Sequence, residues 1–232
     1  PQDQDALDTG TGIKPLSDRY YQPLTQPGAT FNAFDYSLRR KHPAIQNHLA
    51  EWSPEAQKIK TEIIDGAGQF RAIGRIVTMK SYPIIHNKIS EILSNMKNAK
   101  VLAELEDINE SINPNPDDDS GSSDNKPPMI IFISSLAGGS GAGSTIDVAD
   151  IVRSVVDNSG IYPDQSVGIL YTPDIFLGEP DLRENSTIFA NSLFTICEII
   201  SGWHDSERGQ PDSDIWKAFD MLPPASRRRG PR

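Results

Sequence analysis

Four glycines and three hydroxyl side chains stand together in the middle of the chain. The sequence reads AGGSGAG over residues 137–143 and continues with Ser144 and Thr145. Glycines let backbone amides turn inward and leave room for phosphate oxygens. The loop follows an apolar run and precedes an amphipathic one, so its amides would lie at a helix N-terminus, where free N–H groups attract anions. The loop therefore predicts binding of a phosphate-containing ligand.

Two familiar phosphate-binding patterns do not fit this loop. A Walker loop requires a lysine before its Ser or Thr, and Gly143 occupies that position before Ser144. The dinucleotide pattern G-x-G-x-x-G matches residues 138–143 only out of phase. The structural alternative to a ligand site is a plain tight turn, but four glycines with three hydroxyls exceed what a turn requires.

The elements around the loop predict an α/β fold. The pattern gives a strand at 129–134, a helix at about 144–158, a strand at 166–172, a loop at 173–182 and a helix at about 184–202. A strand–helix–strand order of this length predicts parallel strands covered by helices. The continuous apolar run of the first strand predicts burial on both of its faces.

Composition divides the rest of the chain. We expect a polar irregular segment at 1–42, a folded domain at 43–202, a disordered acidic insert within it at 112–128, and an irregular tail at 203–232. Helical spacing of apolar residues predicts two helices, at 69–81 and 83–105, separated near Pro83.

Charge and cysteine content narrow the function classes. The net charge of −10 argues against nucleic-acid binding, and no apolar run reaches the ~18 residues of a membrane span. The lone Cys197 excludes an internal disulfide framework and multi-cysteine metal sites, and we expect it to be a buried small hydrophobe. Asp117–Asp119 lack the spaced ligands of a calcium loop, so no metal site is predicted.

The glycine loop carries a resemblance to a known family. AGGSGAG resembles the tubulin signature [SAG]-G-G-T-G-[SA]-G, with Ser140 keeping the hydroxyl of the usual threonine. The segment FISSLAGGSGAGSTIDVADIVRS is similar to the matching part of bacterial tubulin-like proteins, relatives of tubulin and of the division protein FtsZ. EW at 51–52, GAGQFRAIGR at 66–75, VGILYTPDIF and RENSTIFANSLFTICEI also resemble this family, over roughly residues 50–202.

This resemblance implies a guanine-nucleotide site, with GTP or GDP as the cofactor. The phosphates would be held by the whole loop: Ala137, Gly138, Gly139, Ser140, Gly141, Ala142 and Gly143. Glu179 and Arg183 would lie near the ribose and phosphates, with a solvated surface pair as the alternative. The amide of Asn191 could read a guanine edge, with helix packing as the alternative.

Three further residues are open to two interpretations. Gln69, Arg71 and Arg75 follow a glycine-rich turn and could contact phosphate, or could form structural ion pairs or an exposed face. Mg²⁺ could accompany the nucleotide. Asp147, predicted in the first turn of its helix, fits a partner of the helix dipole better than a magnesium ligand.

The chain also departs from the family pattern. A first glycine loop after an N-terminal strand is not recognisable. The acidic loop with which the family activates water across a subunit contact is expected beyond residue 202, and no candidate for it is found. The resemblance therefore implies a Rossmann-like tubulin/FtsZ nucleotide-binding domain, with a parallel sheet, incomplete at both ends. It implies no catalytic residues here, and hydrolysis only between subunits of a complete protein.

The resemblance implies a bacterial, cytoplasmic, cytoskeletal protein whose full-length form self-associates into filaments. Two other functions stay open. One is a different phosphate-binding α/β protein that takes ATP or a dinucleotide. The other is a scaffold module that keeps the fold and binds no nucleotide.

Overall fold

A computed structural model describes the following residues of the protein: 22–41, 55, 58–59, 62–63, 66–103, 107, 129–159, 165–176, 178 and 186–207. The helices are α1 (Phe31–Lys41), α2 (Arg71–Lys80), α3 (Tyr82–Asn95), α4 (Gly139–Ser159) and α5 (Ser186–Glu207). The strands are β1 (Met129–Ser135) and β2 (Gln165–Tyr171), followed by a 3-10 turn at Pro173–Phe176. The predicted insert at 112–128 lies outside the described residues.

The two strands form a parallel pair joined by α4. The register pairs Met129 with Gln165 at one end and Ser135 with Tyr171 at the other. Beyond the last pair, the amide of Leu136 donates to the carbonyl of Tyr171 at 2.8 Å. A parallel pair connected by a helix is the βαβ unit, so the prediction of an α/β fold with a parallel sheet is confirmed.

One face of this sheet is exposed, which corrects the prediction of burial on both faces. Ile130 packs against the apolar residues between α3 and α4, whereas the alternate side chains of β1 point away from these helices. The exposed apolar side chains are Met129, Ile131, Ile133, Val167, Ile169 and Tyr171. Apolar composition alone does not reveal which side a helix covers, and within the described residues a helix covers only one.

The helix after the glycine loop begins earlier than predicted. The sequence places its start near residue 144, but α4 begins at Gly139, inside the glycine motif. Glycine disfavours helix by about 1 kcal/mol relative to alanine, so local propensity moves the predicted start past these residues. Close contacts with α2 and β1 override that preference.

The N-terminal segment is partly ordered, which corrects the prediction of irregular structure throughout 1–42. Phe31, Asp35 and Leu38 lie on the buried face of α1, at helical spacing. Phe31 and Leu38 pack into one core cluster with Ile73 and Ile76 of α2. Polar residues between these positions mask the apolar stripe in a composition count.

The two predicted helices at 69–81 and 83–105 are confirmed as α2 and α3. Ser81 separates them, and Pro83 lies in the first turn of α3, where a missing N–H costs little. The continuous part of α3 ends at Asn95, before the predicted boundary, and residues 99–103 are helical again. A second core cluster joins α3 to α4 through Ile85, Leu93, Ile151, Val155 and Val156.

Two smaller expectations about α5 are wrong. The tail was expected to be irregular from residue 203, but α5 continues to Glu207. Cys197 lies in α5 as predicted, but it is exposed rather than buried, because the buried face of the helix carries Ile188, Asn191 and Thr195 instead. No helix in the described part of the chain is long and apolar enough to cross a membrane.

Candidate functional site

The start of α4 is the centre of the candidate site. β1 ends at Ser135 and α4 begins at Gly139, so the connection is short. The first bond along the helix is donated by the amide of Ala142 to the carbonyl of Gly138, at 3.0 Å. The amides of Ser140 and Gly141 precede this bond and have no helical acceptor, as in the first turn of any helix.

A second glycine turn, at residues 66–70, lies directly against this start. Gly66 and Gly68 have positive φ values of 101° and 53°, which favour glycine. The carbonyl of Gly68 accepts from the amide of Gly139 at 2.7 Å. The amide of Ala67 donates to the hydroxyl oxygen of Ser140 at 3.1 Å. The two turns are therefore joined by two hydrogen bonds.

The sequence marks residues 66–70 as a glycine-rich turn before a helix and, within GAGQFRAIGR, as part of the resemblance to the tubulin-like family. It does not show that this turn contacts the loop at 137–143, because no local spacing connects Ala67 with Ser140, 73 residues away. The structure brings the two glycine turns together at one edge.

Three glycines of the motif leave no room for a side chain. A Cβ on Gly139 would lie 2.6 Å from the Phe70 amide nitrogen, and one on Gly143 would lie 2.2 Å from the Arg71 carbonyl oxygen. A Cβ on Gly141 would lie 2.0 Å from the Ser135 carbonyl oxygen. These glycines are required by the protein's own backbone, which approaches α4 from two sides.

Gly138 and Gly68 are open by contrast. The nearest atom to a Cβ on Gly138 would be the Gly68 carbonyl oxygen at 3.9 Å, and no atom lies within 4 Å of one on Gly68. The side chain of Ser140 is exposed. The surface that a ligand can reach is therefore formed by Gly68, Gly138 and Ser140.

The hydroxyl groups of Ser140, Ser144 and Thr145 have different hydrogen-bond partners. Thr145 lies 2.6 Å from the carbonyl of Gly141 and 2.7 Å from the hydroxyl of Ser134, so it fastens α4 to the end of β1. Ser144 donates to the carbonyl of Ser140 at 2.7 Å. Ser140 accepts from Ala67, which leaves its O–H hydrogen as a donor at the exposed surface.

Arg71 and Arg75 form ion pairs with neighbouring helices. Arg71 Nη2 lies 2.5 Å from Glu198 Oε2 of α5, and its Nε donates to the carbonyl of Ala142 at 3.3 Å. Arg75 Nε lies 3.1 Å from Asp147 Oδ2, and the Asp147 side chain is only 2% exposed. Both arginines thus form structural ion pairs, which the sequence analysis left open as the alternative to phosphate contact.

Asp147 lies two turns inside α4, because the helix starts at Gly139. Its predicted place in the first turn is therefore wrong, and its partner is Arg75 rather than the helix dipole. A small cleft of about 10 Å³ lies beside this pair. The cleft has room for about one water molecule, so it is no nucleotide cavity.

Asn191 joins both glycine turns. Its Nδ2 donates to the carbonyl of Gln69 at 2.9 Å and to the carbonyl of Ala137 at 3.0 Å, and the residue is 6% exposed. Contact of this amide nitrogen with a guanine edge would require these bonds to break. Gln69 Oε1 is buried and accepts no hydrogen bond from the described residues.

The remaining predicted site residues, Glu179 and Arg183, lie outside the described residues. Across the residues that the structure describes, no group of three or more His, Cys, Asp or Glu side chains could hold a metal ion.

A comparison with models of known protein families gives a match. The model of the family described as tubulin-like matches residues 18–214. Comparisons with curated proteins and with solved structures gave no match. The matched range covers most of the chain and includes both glycine turns and the helices α1 to α5. The chain therefore belongs to the tubulin-like family.

Proposed function

We propose that this protein binds the phosphates of a guanine nucleotide at the edge where its two glycine turns meet. The contact of the turn at 66–70 with the first turn of α4 is the observation that carries the proposal. Either turn alone is a common feature of folded proteins. Their junction brings together exposed glycine backbone, amides without helical acceptors and a serine hydroxyl at the end of a parallel strand, which is where α/β sheets bind ligands.

The donors at this junction suit an anion. The amides of Ser140 and Gly141 precede the first helical bond of α4, and the Ser140 hydroxyl adds a third hydrogen. The dipole of α4, a helix of 21 residues, places partial positive charge at the same end. Open space at Gly138 allows a phosphate oxygen to approach the backbone.

Arginine does not supply the charge complement in this proposal. Arg71 and Arg75 are engaged by Glu198 and Asp147, and freeing either arginine for a ligand would separate an ion pair. Phosphate recognition would rest on backbone donors, as in other glycine-rich sites at helix N-termini. The preference for guanine is supported by membership of the tubulin-like family. Mg²⁺ would bind with the nucleotide phosphates.

The test compares two open glycines in the 232-residue chain. Binding of fluorescent GTP is measured, with ATP as competitor, for wild type, Gly138→Val and Gly168→Val. Both positions admit a side chain, since a Cβ on Gly168 meets no atom within 4 Å, but Gly168 lies in the middle of β2. Gly139 and Gly141 are unsuitable test positions, because a valine there would clash with backbone.

We expect GTP to bind in preference to ATP, and Gly138→Val to weaken binding at least about tenfold, or about 1.4 kcal/mol. Gly168→Val should bind as wild type does. Preference for ATP would indicate a different phosphate-binding protein. Folded wild type that binds neither nucleotide would contradict the proposal and leave a scaffold role.

Family membership also supports self-association into filaments, with hydrolysis completed by a neighbouring subunit. Sedimentation of the chain with GTP and with GDP tests this part. GTP-dependent pelleting together with phosphate release would support it. Binding without either would restrict the function of this chain to holding the nucleotide.

A further inference from the structure

One face of α5 carries polar side chains that contact the two glycine turns and the first residues of α2 and α4. Asn191, Thr195 and Glu198 are spaced by four and three residues, so they lie along one side of the helix. Thr195 Oγ1 lies 3.2 Å from the carbonyl of Ala142, and Glu198 pairs with Arg71. Asn191 is the member of this row that reaches the two glycine turns themselves.

We infer that Asn191 is a positioning residue that holds the two glycine turns at a fixed separation and thereby sets the affinity of the nucleotide site. This inference rests on the proposed function. A primary amide nitrogen carries two hydrogens, and each carbonyl that it contacts belongs to a different turn. One side chain thus joins Gln69, next to Phe70, to Ala137, next to Gly138.

The bridge complements the direct bonds between the turns. On the side of α4, two direct hydrogen bonds join the turns. The amide of Gly139 donates to the carbonyl of Gly68, and the amide of Ala67 donates to the hydroxyl oxygen of Ser140. Asn191 joins them from the side of α5, where it is 6% exposed. A buried carbonyl that loses its donor is destabilised, so both turns depend on the same nitrogen. Donors that are already held in position bind an anion without the entropic cost of ordering them. Asn191 would raise the affinity in this way, because it holds the turns that carry the donors.

The test uses Asn191→Asp, which keeps the size of the side chain but removes both N–H donors. Thr195→Val is the matched control. Thr195 is buried on the same face, and the variant loses a hydroxyl that lies 2.8 Å from the carbonyl of Asn191 and 3.2 Å from that of Ala142, but it keeps the Asn191 side-chain bonds to both turns. Amide hydrogen exchange of the ligand-free chain is followed over 66–70 and 136–141. The affinity for GTP is measured on the same proteins.

We expect Asn191→Asp to raise exchange in both turns together, at least about tenfold relative to the rest of the chain. Thr195→Val should lower overall stability without this selective effect. GTP affinity should fall at least about tenfold for Asn191→Asp and stay near wild type for Thr195→Val. If Asn191→Asp does not fold, Asn191→Ser replaces it, because one hydroxyl can serve only one of the two carbonyls.

Three results would overturn the inference. Exchange could rise uniformly along the chain, as a merely structural role predicts. Thr195→Val could loosen the turns equally. The turns could loosen while GTP affinity stays unchanged. Absence of GTP binding by the wild-type chain would instead refute the proposed function, and the exchange data would still decide whether Asn191 holds the turns together.

Discussion

Two groups of glycines, where the turn at 66–70 meets the motif at 137–143, differ in what fills the space beside them. Gly139, Gly141 and Gly143 are surrounded by the protein's own backbone, from the turn before α2, from α2 itself and from the end of β1. Gly138 and Gly68 face open space. The first group lets α4 approach its neighbours closely, and the second leaves a surface that a ligand can reach.

The difference shows that the glycines of one region can serve two purposes, close packing against neighbouring backbone and an open surface for a ligand. Gly139 and Gly143 are one helical turn apart and both face the beginning of α2, whereas Gly141 faces Ser135. Gly74 completes the contact from the other side, because a Cβ there would lie 2.3 Å from the Gly139 carbonyl oxygen. Three of the four glycines of the motif therefore pack against backbone, and only Gly138 leaves space that a ligand could reach.

The largest expected effect follows substitution in the enclosed group. Gly143→Ala should destabilise the fold by about 3 kcal/mol or more, because backbone atoms would have to move. The better helix propensity of alanine returns only about 1 kcal/mol. Urea unfolding measures the change, with Gly168→Ala as a control in open space. Equal stability of the two variants would contradict the close approach of α2 to α4.

A second test breaks the ion pair that lies beyond the enclosed glycines. Asp147→Ala removes the partner of Arg75, whose side chain is 14% exposed, and should cost about 2 kcal/mol. The control is Glu91→Ala, in a pair with Lys88 at the surface, which should cost below about 0.5 kcal/mol. Thermal unfolding compares the two. Similar small losses would mean that the buried pair contributes little to the α2–α4 contact.

A third test concerns one of the two direct hydrogen bonds between the glycine turns, the bond from the amide of Ala67 to the hydroxyl of Ser140. Ser140→Ala removes the acceptor of the Ala67 amide and should lower stability by about 1 kcal/mol. Ser144→Ala removes a bond within α4 only and should have an effect below about 0.5 kcal/mol. Chemical denaturation of both variants measures the two losses of stability. A larger loss for Ser144→Ala would show that the turns do not depend on Ser140.

The smallest expected effect is at the open glycine. Gly138→Ala should change the free energy of unfolding by less than about 0.5 kcal/mol, since the added Cβ meets only the Gly68 carbonyl oxygen at 3.9 Å. Comparison with Gly139→Ala, one residue away, is the sharpest form of the contrast. A large loss at Gly138 would place it among the enclosed glycines.

Much of the local architecture could be predicted. Apolar periodicity identified α2, α3 and α5, and the strand–loop–helix–strand order gave the parallel pair of β1 with β2. The glycine motif identified the family. These features depend on residues close together in the chain, where side-chain spacing determines which face is apolar.

The partners of the site residues could not be predicted. Arg71 and Glu198 are separated by 127 residues, and Arg75 and Asp147 by 72. No periodicity connects residues so far apart, so an arginine near a glycine turn suits a phosphate and a carboxylate equally well. The same reason kept Asn191 from being recognised as a bridge between two turns.

The sequence by itself determined the order of elements, the glycine-rich loop between β1 and α4 and the resemblance to tubulin-like proteins, because these depend on local spacing and residue type. Only the tertiary structure decided which glycines are enclosed and which are open. That distinction depends on how closely α2 and β1 approach α4, and such approach is fixed by packing between segments that are distant in the chain.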